Sequence, residues 1–194
     1  MFRRKPVMSA DSPALPAMSL ALRDGRPLWI GPITPAARPV IERAVAKLSP
    51  ETSRRRFFTV RYRLSDAELD ALTDLDGVDR FAVGASVRDS DGAIEGVGVA
   101  RYVRDDEDAE AAEIAVVVVD AYQRQGIGKT LLSLLAAAAR GRGIKRFEGL
   151  VLRDNAPMLA LLGKHAPEAV IQSAAGHLGV EIPLDRSLGR ERLR

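Results

Sequence analysis

Gln123, Gly126 and Gly128 carry the most specific chemistry in this 194-residue chain, in the run Tyr122-Gln123-Arg124-Gln125-Gly126-Ile127-Gly128-Lys129-Thr130. They follow directly on six consecutive apolar residues, Ile114 to Val119, four of them valine. A helix that starts at these glycines leaves its first backbone N–H groups unpaired, and residues without a Cβ let an anion come close to them. The turn is therefore built to hold phosphate. Two familiar phosphate loops do not fit. The P-loop pattern G-x-x-x-x-G-K-[ST] needs glycine where Gln123 stands, and the dinucleotide fingerprint G-x-G-x-x-G would put its third glycine on Leu131. The pattern that remains is Q-x-x-G-x-G.

The elements that must position this turn follow from patterning. The valine run, β-branched and apolar throughout, predicts a strand covered on both faces, and it is too short to cross a membrane. Leu131-Leu132-Ser133-Leu134-Leu135 and the alanines to Ala139 predict a helix to about Arg140, stopped by Gly141 and Gly143. Upstream, a short strand is expected around Leu28-Trp29-Ile30. Thr34 with Pro35 opens a helix to about Leu48, Ser49-Pro50 opens another, and Ser65-Asp66-Ala67-Glu68 forms a capping box for a third. Phe81 to Ala85 and Ile94 to Val103 predict a hairpin around Asp89-Ser90-Asp91-Gly92, antiparallel to the strand that begins near Ala112. Arg146 to Leu152 is a strand parallel to the valine strand, because a strand-helix-strand crossover joins them. A helix capped by Asn155 and a terminal hairpin, Ala169 to Ser173 and His177 to Leu184, complete the order.

Composition bounds the function. Apolar content of 46% and charged content of 28% belong to a soluble globular protein of one domain. The absence of cysteine excludes disulfides, thiolate metal sites and an acyl-cysteine intermediate. Residues 1–19, with Pro6, Pro13 and Pro16 among small polar residues, read as a disordered tail, 20–186 as the domain and 187–194 as a second tail. With no apolar stretch after Arg3-Arg4-Lys5, the expectation is a cytoplasmic protein with no membrane partner. The net charge of +3 hides segregation: 13 Lys+Arg against 4 Asp+Glu in residues 1–63, 4 against 15 in 64–113, and 12 against 7 in 114–194. Such segments either attract a phosphorylated cofactor and a cationic substrate or form solvated faces of one surface. The basic residues lack the interleaved aromatics of a nucleic-acid platform.

Strand, Q-x-x-G-x-G turn and helix together resemble the acetyl-coenzyme A motif of the GNAT superfamily of N-acetyltransferases. Local runs such as Leu48-Ser49-Pro50-Glu51-Thr52 with Arg56-Phe57, Ala100-Arg101-Tyr102, Ala112-Glu113-Ile114-Ala115, and Asn155 with Met158-Leu159 are similar to the acetyltransferase domain of bacterial protein lysine acetyltransferases of the Pat type. In some of that group a cyclic-nucleotide-binding domain precedes it. The resemblance implies a mixed α/β GNAT fold from about Leu28 to Leu184: a mostly antiparallel central sheet, flanked by helices, with one parallel strand pair splayed at the cofactor site. It implies acetyl-CoA as cosubstrate, no metal, and direct transfer of acetyl to a primary amine, a protein lysine foremost. A small amine such as a polyamine or aminoglycoside, or a catalytically silent acyl-CoA-binding module, remains as an alternative.

The site residues follow from the same resemblance. Lysine's amine has a reference pKa of about 10.4, so a base must take its proton at neutral pH. Glu113, four residues before Val117, stands where similar enzymes keep a catalytic glutamate, and burial against the valine strand is expected to make it a better base. Backbone N–H groups from Val117, Val118 and Val119 are expected to polarise the thioester carbonyl and pair with pantetheine. Arg124, Gln125, Gly126, Ile127, Gly128 and Lys129 would hold the pyrophosphate. Asn155 matches the family's asparagine after the next strand, and a plain helix N-cap explains it equally well. Many members protonate the leaving thiolate with a tyrosine seven residues later; here that position is Leu162.

Overall fold

The computed structural model describes residues 18–174 and 176–184. Its centre is one eight-stranded sheet in the order β1-β2-β3-β4-β5-β6-β8-β7. Strands β1 (Met18–Ala21), β2 (Pro27–Pro32), β3 (Arg80–Arg88), β4 (Ile94–Arg104) and β5 (Ala111–Val118) pair antiparallel, each with its neighbour in the sequence. Beyond β5 the chain crosses over through α4 (Ile127–Arg140) into β6 (Arg146–Leu152), which lies parallel to β5. After α5 (Ala156–His165), the hairpin of β7 (Val170–Ala174) and β8 (His177–Pro183) closes the sheet, with β8 against β6. This is the mixed sheet expected from the sequence, mostly antiparallel with one parallel pair.

That parallel pair is short. Only Ala111↔Arg146, Ala112↔Phe147 and Glu113↔Glu148 are in register. Past Glu113 the two strands part, although β5 continues to Val118 and β6 to Leu152.

Helices on both faces hold the sheet. α4 buries Ile127, Leu131, Leu132, Leu135, Ala136, Ala138 and Ala139, a stripe at helical spacing that packs on β3, β4 and β5. Leu131 comes so near β4 that a Cβ on Gly98 would lie 3.1 Å from Leu131 Cδ1 and 3.1 Å from Val117 O. α1 (Arg38–Ala46) covers β4 from the other face. α2 (Pro50–Phe57) lies against β5, and α3 (Asp66–Thr73) against α1, where Val45, Leu64 and Leu69 make a small second cluster.

Two start signals act as the sequence implies. Ser49 accepts from Thr52 N at the head of α2, and Ser65 with Glu68 forms the full capping box of α3. The Thr34-Pro35 signal differs. Thr34 makes no side-chain cap, Pro35–Ala37 is a 3-10 turn, and the α-helix begins only at Arg38. The cause is Pro39, which has no N–H to bond back to Pro35 O. β1 is a second difference. It starts at Met18, inside the stretch expected as tail, and its four residues are too few to show a period beside the prolines.

Candidate active site

The parting of β5 from β6 opens a cleft of about 1020 Å³, floored by β5 and walled by α2 on one side and α5 on the other. Glu113 lines one end. At the other end lie Arg124, Gly126, Ile127, Gly128 and Lys129, with Val117 and Val118 between and Asn155 on the α5 wall. The residues expected to act together thus lie in one cleft, apart from Val119 and Gln125.

The phase of the β4–β5 ladder decides which backbone groups face the opening. Val119 N donates to Val97 O at 2.9 Å, so Val119 and Val117 point their N–H groups at β4. The intervening Val116 and Val118 point theirs into the parting. Val119 is buried in the core and its N–H is used. The expectation placed on the N–H groups of Val117 and Val119 therefore moves to those of Val116 and Val118. Val116, which also lines the cleft, was missed because phase depends on pairing, which the valine run does not encode.

The glycine turn is shaped from both sides. Gln123 donates through Nε2 to Val118 O at 3.0 Å and to Thr52 Oγ1 at 3.2 Å, tying the turn back to the strand. Asp120 accepts from Ser49 N at 2.9 Å, Ser49 Oγ at 2.7 Å and Thr52 Oγ1 at 2.7 Å, which fixes the start of α2 beside it. Partial burial works to raise the Asp120 pKa, but those three bonds hold it below the ordinary carboxylate value. Arg124 and Gly126 both adopt left-handed backbone, at φ 59 and φ 87. The Gln125 side chain turns back toward Ala121 O, 3.4 Å away, and does not line the cleft.

Gly126 is the N-cap of α4 and offers no side-chain cap. The first intrahelical bond is Thr130 N to Gly126 O, so the N–H groups of Ile127 and Gly128 have no partner within the helix. A Cβ on Gly128 would meet only Leu161 and Val118, both at an ordinary 3.8 Å. The protein has room for a methyl group there, yet the residue is glycine and faces the cleft. Uncapped N–H groups and an open glycine fit a phosphate group. Among the described residues no three metal-ligating side chains converge.

Of three further residues, two stand as the sequence allowed and one does not. Asn155 Oδ1 accepts from Met158 N at 3.2 Å, so it does serve as the N-cap of α5 while facing the cleft. Leu162 is buried in the cleft wall. Glu113 is exposed, because it lies at the mouth where β6 is still paired, and the burial expected to sharpen it as a base is absent.

Around Glu113 lies a set of charges that sequence reasoning did not assemble. Arg101 stands diagonally across the ladder on the same sheet face, and Arg56 of α2 lines the cleft. Burial pushes the Arg56 pKa down to about 10, helped by repulsion from Arg101 and opposed by Glu113. Arg101 is lowered too, by burial and by Arg80, again against Glu113. On the other flank, Glu148 of β6 and Glu181 of β8 continue the row.

The acetyltransferase (GNAT) family model matches residues 51–166. Acetyltransferase Pat of Mycolicibacterium smegmatis is 33% identical over 146 residues, which are 74% of this chain and 42% of that protein. An acetyltransferase of Pseudomonas aeruginosa is 30% identical over 154 residues, 76% of this chain and 82% of its own length. The crystal structure of the GNAT domain of S. lividans PAT matches with a TM-score of 0.76 at 30% identity, covering 86% of this chain and 96% of that domain. The chain therefore spans less than half of the M. smegmatis relative and nearly the whole of the S. lividans domain. The family match runs from α2 to just past α5, the stretch that supplies most of the cleft's lining, and the chain belongs to the GNAT family of acetyltransferases.

Proposed function

We propose that the protein transfers acetyl from acetyl-CoA to a protein lysine, with Glu113 as general base. One observation carries this reading: a carboxylate and an uncapped, glycine-edged helix start lie at opposite ends of a single cleft whose floor is a half-unpaired strand. Acetyl-CoA would supply the activated acyl group as a thioester. The N–H groups of Ile127, Gly128 and Lys129 would take the pyrophosphate, with Arg124 and Lys129 adding charge. Val116 and Val118 would pair with the extended arm and hold the thioester carbonyl by an N–H. Glu113, at the open mouth, accepts the proton that the amine must lose as its nitrogen bonds the acyl carbon and the carbon–sulfur bond breaks. Leu162 provides no proton for the departing sulfur, so that proton comes from water or from Glu113. The half-exposed Phe58 at the rim, with Val60 and Tyr62 exposed nearby in sequence, suits a macromolecular acceptor. We place the reaction in the cytoplasm.

Incubation with acetyl-CoA and cellular proteins, polyamines or aminoglycosides, followed by free-thiol release and mass spectrometry of lysines, tests the reading. Lysine acetylation that falls about 10²-fold in Glu113→Gln, with CoA affinity retained, supports it. Thiol release with small amines alone assigns a small-amine acetyltransferase. Cofactor binding without release in any mixture assigns a silent acyl-CoA module.

A further inference from the structure

Beside Glu113 stand two guanidinium groups, Arg56 in the cleft wall and Arg101 diagonally across the ladder, that no carboxylate of the described residues holds by a hydrogen bond or ion pair. Arg56 makes no hydrogen bond and no ion pair among the described residues; its guanidinium lies over the Phe57 ring, 4.9 Å from the centroid. Arg101 likewise has neither, and Glu113 is not bonded to either of them. Other arginines differ: Arg54, Arg61, Arg80, Arg104 and Arg146 each hold a carboxylate. Two partly desolvated guanidinium groups facing one unbonded carboxylate are costly to maintain, and a guanidinium fork is matched to a carboxylate partner.

The cofactor's phosphates cannot be that partner. Six residue steps of extended chain lead from Glu113 to Val119, about 20 Å, and the glycine turn proposed to bind phosphate lies beyond Val119. The charge also changes sign across Glu113, with Arg101 and Arg56 toward β4 and α2, and Glu148 and Glu181 toward β6 and β8. An acceptor whose amine lies toward the glutamates meets the arginines with its next group.

We infer that Arg56, backed by Arg101, is a carboxylate-binding subsite that selects acceptors bearing an acidic group beside the reacting amine, which for a protein means a lysine next to Asp or Glu. The inference rests on the lysine-acetylation reading above and names its substrate class.

The test uses three peptides identical except for Glu, Gln or Lys beside the reactive lysine. Their binding to the full chain is measured calorimetrically with CoA present, and turnover with acetyl-CoA is measured by thiol release. The wild type is expected to bind the Glu peptide roughly tenfold or more tightly than the Gln peptide, and the Lys peptide weakest. Arg56→Gln should bring the Glu/Gln ratio close to one, and Arg56→Lys should keep part of it. Equal affinity of the wild type for the Glu and Gln peptides overturns the subsite without any variant being needed, as does a tenfold preference that survives in Arg56→Gln. A binding preference without acetylation of any peptide supports the subsite and overturns lysine acetylation alone.

Discussion

Nothing the protein places around Gly128 requires a glycine, whereas Gly126 is required by its own backbone at φ 87. The two residues should therefore respond in opposite ways to alanine. Gly128→Ala adds a side chain to a helical turn with room for it, and should leave stability unchanged or raise it by about 0.5–1 kcal/mol. If the turn holds the pyrophosphate as proposed, the same methyl stands in its approach, and CoA affinity should fall tenfold or more. Gly126→Ala should lower stability by about 1–2 kcal/mol, since a left-handed alanine is strained. Titration calorimetry with chemical denaturation separates the two effects, and an unchanged CoA affinity in Gly128→Ala would remove the phosphate assignment. At this scale the glycines were legible in the sequence because turn chemistry is local. The Arg56, Arg101 and Glu113 grouping was not. Those residues come from three elements, and only the β4–β5 register and the packing of α2 on β5 bring them together.

Among the elements, α2 depends on a contact the sequence conceals. Ser49 was legible as an N-cap, but Asp120, 71 residues further on, fixes that cap and Thr52 to the end of β5. The sign of its pH dependence follows from its depressed pKa. Because the folded value lies below the ordinary 3.8, the contribution of Asp120 is fully present above that pH and is lost as pH falls through the folded value. The wild type should lose stability below about pH 4 by an increment that Asp120→Asn lacks, the variant being already weaker at neutral pH. Thermal unfolding between pH 2 and 7 measures this, and parallel curves for the two proteins would discount the clamp. The elements themselves were largely legible. The valine run, the capping box and the crossover length each specify one piece, while Pro39 and the shortness of β1 account for the two places where local signals misled.

For the molecule as a whole, the parting of β5 and β6 makes alternate backbone groups of one strand inequivalent. Amides of Val117 and Val119 sit in the β4 ladder, and those of Val116 and Val118 face the cleft. In the free protein, Val116 and Val118 should exchange hydrogen faster, and CoA should slow them while leaving Val117 and Val119 unchanged. Residue-resolved exchange by NMR reads this directly; uniform protection along β5 in the free protein would contradict the ladder phase. The parting also exposes two inner sheet edges, and an unpaired edge ordinarily invites another chain to add as a strand. Here both edges are recessed between α2 and α5. In the proposed reaction the recess suits a thin donor arm lying along the edge of β5, with the acceptor presenting one side chain at the rim.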